Sequence, residues 1–280
     1  MKIIDGKKIS EEIKTELKAE IKNCFIKPGL SVIQIGNRDD SNRYVAAKQK
    51  AALEVGINFN LYHYEEDADE REIVNKIKEL NNDEYVDGIM IQLPLPEKFN
   101  EKRLVNLILP SKDVDGLTDR NIGRLVGNKD PLVPCTPLGI VELLKRSGVE
   151  IEGKHVVIVG RSMLVGKPLL HLLLNENATV TICHTRTSDL KKMTLQADIL
   201  VAAMGNPMFI TKDYVKEGAI VIDVGINTIN TGLCGDVDFD KVSKKASMIT
   251  PVPGGVGPMT VTMLLKNTLR SYKMKISNKN

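Results

Sequence analysis

Short apolar runs take turns with stretches of helical period along nearly the whole chain, and this alternation restricts the fold more than any other feature. Residues 30–35 read as a buried strand, residues 88–93 are an apolar run of strand length with one amide, Gln92, and residues 57–64 alternate enough to form a strand between them. His155–Val159 and residues 178–183, 198–204 and 219–224 repeat the pattern in the second half. Between them, residues 72–80 put Ile73, Val74, Ile77 and Leu80 on one helical face. Near the start, Ser10 is placed to cap a helix carrying Ile13, Leu17 and Ile21 inward, with Glu11 and Glu12 in its first turn. Strands separated by helices make βαβ units, and a strand covered on both faces reads as a continuous apolar run. The expected class is α/β with mainly parallel sheets.

A boundary falls at Pro134-Cys135-Thr136-Pro137, where Thr136 is placed to cap a helix beginning at Pro137 and ending near Gly148. The segment from Pro251 to Thr260, Pro-Val-Pro-Gly-Gly-Val-Gly-Pro-Met-Thr, has little side-chain bulk, so its backbone can approach a flat ligand closely. Residues 261–269 read as a final helix that could return to the first domain.

The formal net charge of +3 is too small to argue for nucleic acid, and no basic block is interleaved with aromatics. The most basic stretch, 273–279, reads as a solvated tail. Cys24, Cys135, Cys183 and Cys234 are scattered, and the start of the chain has no uninterrupted apolar core for a secretion signal. That combination argues for reduced thiols in the cytoplasm. The four histidines lack metal-ligand spacing, so no metal site is expected. No apolar run is long enough to span a bilayer.

Two places carry chemistry. Tyr44 and Lys48 are four residues apart and share one face if residues 41–55 are helical, with Ser41 placed to cap that helix. Val45, Ala46 and Ala47 favour burial around the pair, and a desolvated lysine gives up its proton more easily. A solvated, snorkelling lysine is the ordinary alternative. Gln92 ends the 88–93 strand, before Pro94 and Pro96 stop it, and ligands of such sheets gather beyond the carboxyl ends of strands.

The second place is the turn after Val159, which opens Gly160-Arg161-Ser162-Met163-Leu164-Val165-Gly166. A strand, a glycine turn and a helix start offer N–H groups to phosphates. Ser162 and Val165 stand at the second and third glycine positions of G-x-G-x-x-G, and Gly166 comes one residue late, so a purely structural turn also fits. The next strand ends in Cys183-His184-Thr185-Arg186, with no acid to hold an NAD ribose or repel a 2′-phosphate. Arg161, with donors from Thr185 and Arg186, favours NADP over NAD.

Five segments in order, Tyr44-x-x-x-Lys48, Gln92-Leu93-Pro94-Leu95-Pro96, Lys112-Asp113-Val114-Asp115-Gly116, the turn from Gly160 to Pro168, and Pro251 to Thr260, resemble the bifunctional methylenetetrahydrofolate dehydrogenase/methenyltetrahydrofolate cyclohydrolase family. The resemblance covers nearly the whole chain. It implies two α/β domains with a cleft between them: a folate-binding catalytic domain of residues 1–138 plus 261–280, and a Rossmann-like NADP-binding domain of residues 139–260. It implies a homodimer joined through the nucleotide domain, tetrahydrofolate derivatives as ligands, and a place in one-carbon metabolism and purine biosynthesis. Lys48, Tyr44, Gln92 and Asp115 become the candidate catalytic group. Ile91, Leu93, Pro253, Gly254 and Gly255 join them in binding folate, while Gly160, Arg161, Ser162, Thr185 and Ile226 bind the nucleotide. Asp113 reads as structural, Ser41 could serve both as cap and as active-site hydroxyl, and Cys135 lies near the cleft in the family pattern.

The implied dehydrogenase step moves a hydride and needs mainly orientation. The cyclohydrolase step adds water to the methenyl carbon and needs a general acid/base, for which Lys48 is the candidate. Bringing a lysine from ~10.4 to roughly 7–8 costs about 4 kcal/mol, so strong desolvation or a nearby cation, such as the substrate, is required. Alternatives are a monofunctional dehydrogenase, a non-catalytic nucleotide-binding protein, and another NADP oxidoreductase. The last would need a catalytic His or an Arg clamp, and neither can be placed.

Overall fold

The computed structural model describes residues 1–230 and 232–277. In chain order its first half holds β1 (Lys2–Ile3), α1 (Gly6–Lys22), β2 (Gly29–Ile35), α2 (Asp39–Val55), β3 (Asn58–Tyr64), α3 (Glu70–Asn82), β4 (Gly88–Ile91), α4 (Glu101–Val105), α5 (Asp119–Val126) and α6 (Cys135–Arg146). The second half holds β5 (His155–Val159), α7 (Gly166–Asn175), β6 (Thr179–Cys183), α8 (Leu190–Thr194), β7 (Ile199–Ala202), β8 (Ile220–Asp223), β9 (Asn227–Ile229), β10 (Gly232–Cys234), α9 (Phe239–Val242), β11 (Met248–Ile249) and α10 (Val256–Ser277). The chain forms two compact units, Glu12–Cys135 with Val261–Asn280, and Met1–Glu11 with Thr136–Thr260.

The first unit is built on a parallel three-stranded sheet of order β3-β2-β4. Every residue of β2 is buried, as befits a central strand, and that includes the polar Ser31 and Gln34, whereas edge strand β3 is partly exposed throughout. Ile73, Ile77 and Leu80 of α3 pack with Ile33, Ile89 and Leu104 in one core cluster. Each such fully buried side chain contributes about 1.5–3 kcal/mol. Helix α2 ends where Gly56 takes φ +91, a left-handed geometry that suits glycine, and its N–H reaches back to Ala52 O and Leu53 O.

Helix α10 supplies polar anchors to this unit as well as apolar ones. Asn267 Nδ2 donates to Val114 O at 2.8 Å and Val133 O at 2.9 Å, and Ser271 Oγ, one turn on, sits 2.6 Å from both Asp87 O and Ser111 O. The loop between α4 and α5 is thereby held by a helix far away in sequence. Asp113 braces the same loop, accepting from Leu117 N, Thr118 N and Asn121 Nδ2.

The second unit is a six-stranded sheet of order β1-β11-β8-β7-β5-β6, parallel at every pairing. Its central strands β5, β7 and β8 are almost wholly buried. Residues 1–11 were expected with the folate domain but group with this sheet. Lys2 and Ile3 pair with Met248 and Ile249, and Lys7 N donates to Gly254 O at 3.0 Å.

Several predicted ends move. Helix α1 starts at Gly6, where Asp5 Oδ1 accepts from Lys8 N, so Ser10 is a buried residue inside the helix and not its cap. Helix α2 starts at Asp39, and Ser41 lies within its first turn, its own N–H received by Asp40 Oδ1. Helix α6 starts at Cys135, so Thr136 is helical, and its hydroxyl lies 2.9 Å from that of Thr260. Helix α10 begins at Val256 and continues to Ser277, so most of the expected basic tail is helical, with Lys275 beside Asp87 and Lys273 beside Glu20. Lys279 lies outside the described residues.

Candidate active site

The amphipathic turn of α2 that buries Val45 and Ala52 also buries Lys48, which is 6% exposed. Ser41, two turns earlier on the same face, is buried too. Tyr44 shares that side of the helix but is 45% exposed, so the phenol is not tucked in beside the amine as the sequence suggested. Across from α2, β4 ends at Ile91 and delivers buried Gln92. Lys48 Nζ donates to Gln92 Oε1 at 2.7 Å. Gln92 Nε2 donates to Leu93 O at 2.7 Å, which orients the amide with its oxygen toward the lysine.

Asp115 and Cys135 complete the group. Burial pushes Lys48 below the usual lysine range, while the negative charge of Asp115 and the neighbouring Cys135 pull it back up. Burial raises the Asp115 carboxyl, and Lys48 opposes that rise. Each buried charge stabilises the other while desolvation drives both toward neutrality. The Cys135 thiol is pushed well above its ordinary value by burial and by Asp115, and its Sγ donates to Val114 O at 3.4 Å. A thiol held that way stays protonated and is no nucleophile.

Gly116 shows how tightly the Asp115 loop is set. Its φ is +71, and a Cβ there would stand 2.3 Å from the Val133 carbonyl carbon. Asn267 ties the backbones on both sides of this contact. The sequence reading missed Asn267, because an Asn inside an apolar helix carries no local mark of its distant partners.

The expected nucleotide residues lie in the second unit. Gly160 ends β5 with φ +134, and a Cβ there would meet Ala203 O at 2.1 Å. Gly166, the late glycine, opens α7 with its Cα against the Gly160 carbonyl, where a Cβ would stand 2.1 Å away. It therefore serves the close helix-to-strand packing asked of the third glycine. Arg161 and Ser162 are exposed at this helix start, and Ser162 Oγ accepts from Val165 N at 3.1 Å. Thr185 and Arg186 are exposed beyond β6, and Ile226 is half-exposed between β8 and β9. The bare glycine turn, the exposed guanidinium and the helix start fit a phosphate-bearing nucleotide. Pro253, Gly254 and Gly255 belong to the same unit, in the turn that opens α10. Among the described residues no group of His, Cys, Asp or Glu could hold a metal ion, and no helix is long and apolar enough to cross a membrane.

Known proteins resemble this chain over nearly its whole length. Residues 4–115 match the catalytic domain described as tetrahydrofolate dehydrogenase/cyclohydrolase, and residues 134–276 match the NAD(P)-binding domain of that description. The chain is 50% identical over 281 residues to Bifunctional protein FolD of Aquifex aeolicus (strain VF5), covering 99% of this chain and 97% of that one. The crystal structure of the bifunctional FolD methylenetetrahydrofolate dehydrogenase/cyclohydrolase from Campylobacter jejuni superposes with a TM-score of 0.96 at 46% identity, covering 98% and 99% of the two chains. That of Trypanosoma brucei methylenetetrahydrofolate dehydrogenase-cyclohydrolase, complexed with NADP cofactor and an inhibitor, gives a TM-score of 0.92 at 40% identity, covering 98% of each.

Proposed function

The chain belongs to the tetrahydrofolate dehydrogenase/cyclohydrolase family, and from that membership we propose that it oxidises 5,10-methylenetetrahydrofolate with NADP⁺ and hydrolyses the methenyl product to 10-formyltetrahydrofolate. The observation that carries the assignment of roles is the buried Lys48–Gln92 hydrogen bond with Asp115 beside it.

NADP⁺, when bound, accepts the hydride from the methylene carbon. Gly160 lets the chain approach its phosphates, and Arg161 with Ser162 and Thr185 offers donors for the 2′-phosphate. The Asp115 carboxylate accepts from the amide and exocyclic amine of the pterin, Ile91 and Leu93 flank it, and Tyr44 supplies a ring face. In the second unit, the turn of Pro253, Gly254 and Gly255 has little side-chain bulk and offers its backbone to a flat ligand.

In hydrolysis Lys48 moves the proton. Gln92 Oε1 holds one hydrogen of the amine, so a lone pair can be presented to the incoming water when the amine is neutral. Desolvation lowers the lysine toward that state, and a cationic methenyl substrate lowers it further. The same reading makes the enzyme a cytoplasmic homodimer, which its four unpaired cysteines support as regards compartment and sedimentation would check as regards assembly.

Wild type and Lys48→Met are supplied with 5,10-methylenetetrahydrofolate and NADP⁺, and NADPH, methenyl intermediate and 10-formyl product are followed together. Both proteins should make NADPH, while Lys48→Met should lose about 10²–10⁴ in hydrolysis. Equal hydrolysis by the two would remove Lys48 from this role, and no NADPH from wild type would overturn the dehydrogenase reading.

A further inference from the structure

Two buried aspartates in the second unit gather three separate backbone segments. Asp236 is 0% exposed, and both its oxygens are occupied. Oδ2 accepts from Met204 N at 2.7 Å and Gly205 N at 2.9 Å, and Oδ1 accepts from Asn206 N and Asn227 Nδ2, each at 2.9 Å. Asp223 ends β8. Its Oδ1 accepts from Gly225 N at 3.0 Å and Asp236 N at 2.9 Å, and its Oδ2 accepts from Val237 N at 3.0 Å.

Glycines clear the room for both carboxylates. A Cβ at Gly225 would stand 2.3 Å from Asp236 Oδ1, and one at Gly235 would stand 1.8 Å from Asp223 Oδ2. All seven contacts come from N–H groups, so the pair is turned toward backbone and has no face set for a cation.

What the pair holds is the border of the nucleotide site. The 204–206 turn follows Ala203, whose carbonyl presses on Gly160. Ile226 lies between Gly225, tied to Asp223, and Asn227, tied to Asp236, so the half-exposed side chain is tethered on both flanks.

We propose that Asp236, backed by Asp223, is a positioning residue for the dehydrogenase: it fixes Ile226 and the 204–206 turn in the geometry that receives NADP⁺. The inference rests on the nucleotide site proposed above. A carboxylate can accept all four of these bonds, whereas an asparagine has one oxygen and would set its NH₂ against N–H donors. The freed segments would then have to be ordered by the cofactor itself, which weakens binding.

The test compares wild type with Asp236→Asn by calorimetric titration with NADP⁺. Hydrolysis of 5,10-methenyltetrahydrofolate without nucleotide is the second readout. The Kd and KM for NADP⁺ should rise about tenfold in Asp236→Asn, with hydrolysis held within about twofold. Asn227→Ala, which removes one of the four donors, should raise Kd about threefold, and it decides the matter if Asp236→Asn does not fold. Unchanged NADP⁺ binding in a folded variant, or a parallel fall of both activities, would overturn the proposal. Wild type that binds no NADP⁺ would instead overturn the site reading on which it rests.

Discussion

Lys48 Nζ donates a 2.7 Å hydrogen bond to Gln92 Oε1, joining helix α2 to the end of strand β4. An amide acceptor holds the amine in place without the full negative charge that would lock it as a cation. Desolvation is therefore free to dominate, and the lysine sits below its usual range.

Gln92→Glu tests that balance. A carboxylate in the same place stabilises the ammonium, so the pKa of Lys48 rises and its base form needs a higher pH. The acid limb of the pH–rate profile for hydrolysis should move up by about one unit or more, while the profile for NADPH formation stays in place. An unmoved hydrolysis profile would exclude Lys48 as the titrating base.

Asp115→Asn should act mainly on folate binding. Loss of a charge-assisted acceptor costs about 1.5–3 kcal/mol, or roughly 10–100-fold in KM for the folate substrate in both reactions. Steady-state kinetics with either folate at saturating NADP⁺ measures it, and a KM unchanged in both reactions would remove Asp115 from the pterin.

Arg161→Ala should separate the two nucleotides. The affinity for NADP⁺ should fall roughly 10–100-fold as one charge-assisted phosphate contact is lost, while NAD⁺ turnover changes little. Equal losses for both cofactors would place Arg161 elsewhere on the nucleotide.

Asp223 makes stability depend on pH in an uncommon direction. Burial pushes its carboxyl up to about 6, against the backbone N–H groups that pull it down. Because the folded value lies above the ordinary carboxyl value of 3.8, the folded state binds the proton more tightly. The resulting stability is fully present below about 4 and is lost as pH rises through about 6. Its size is about 3 kcal/mol at 1.36 kcal/mol per unit. In urea denaturation of wild type and Asp223→Asn at a series of pH values, the difference in favour of wild type should grow as pH falls from 7 to about 4. A difference that is flat with pH would refute it.

The strands were legible because a run buried on both faces, such as β5 or β7, leaves no polar alternation to confuse the reading. Helix starts were less so. Ser10 and Ser41 are good capping types, but Asp5 and Asp39 lie closer to the true starts, and residue type alone does not choose among neighbouring polar residues. Strand β1 is two residues long and exists only through its partner β11. The placement of Lys48, Gln92 and Asp115 followed from ordered motifs. Asn267, Asp223 and Asp236 escaped because their partners are mostly backbone atoms brought near by the fold. The adjacency of acids to glycines at Asp223-Val224-Gly225 and Gly235-Asp236 was the one local sign of the carboxylate pair.

The pairing of β1 with β11 also sets a timetable for synthesis. A ribosome releases Lys2 and Ile3 long before their strand partners, Met248 and Ile249. The loop that carries Asp115 likewise waits for Asn267. The nascent chain therefore carries one sheet without its β1–β11 edge until Ile249 has emerged, and one loop without its side-chain anchor until Asn267 has followed.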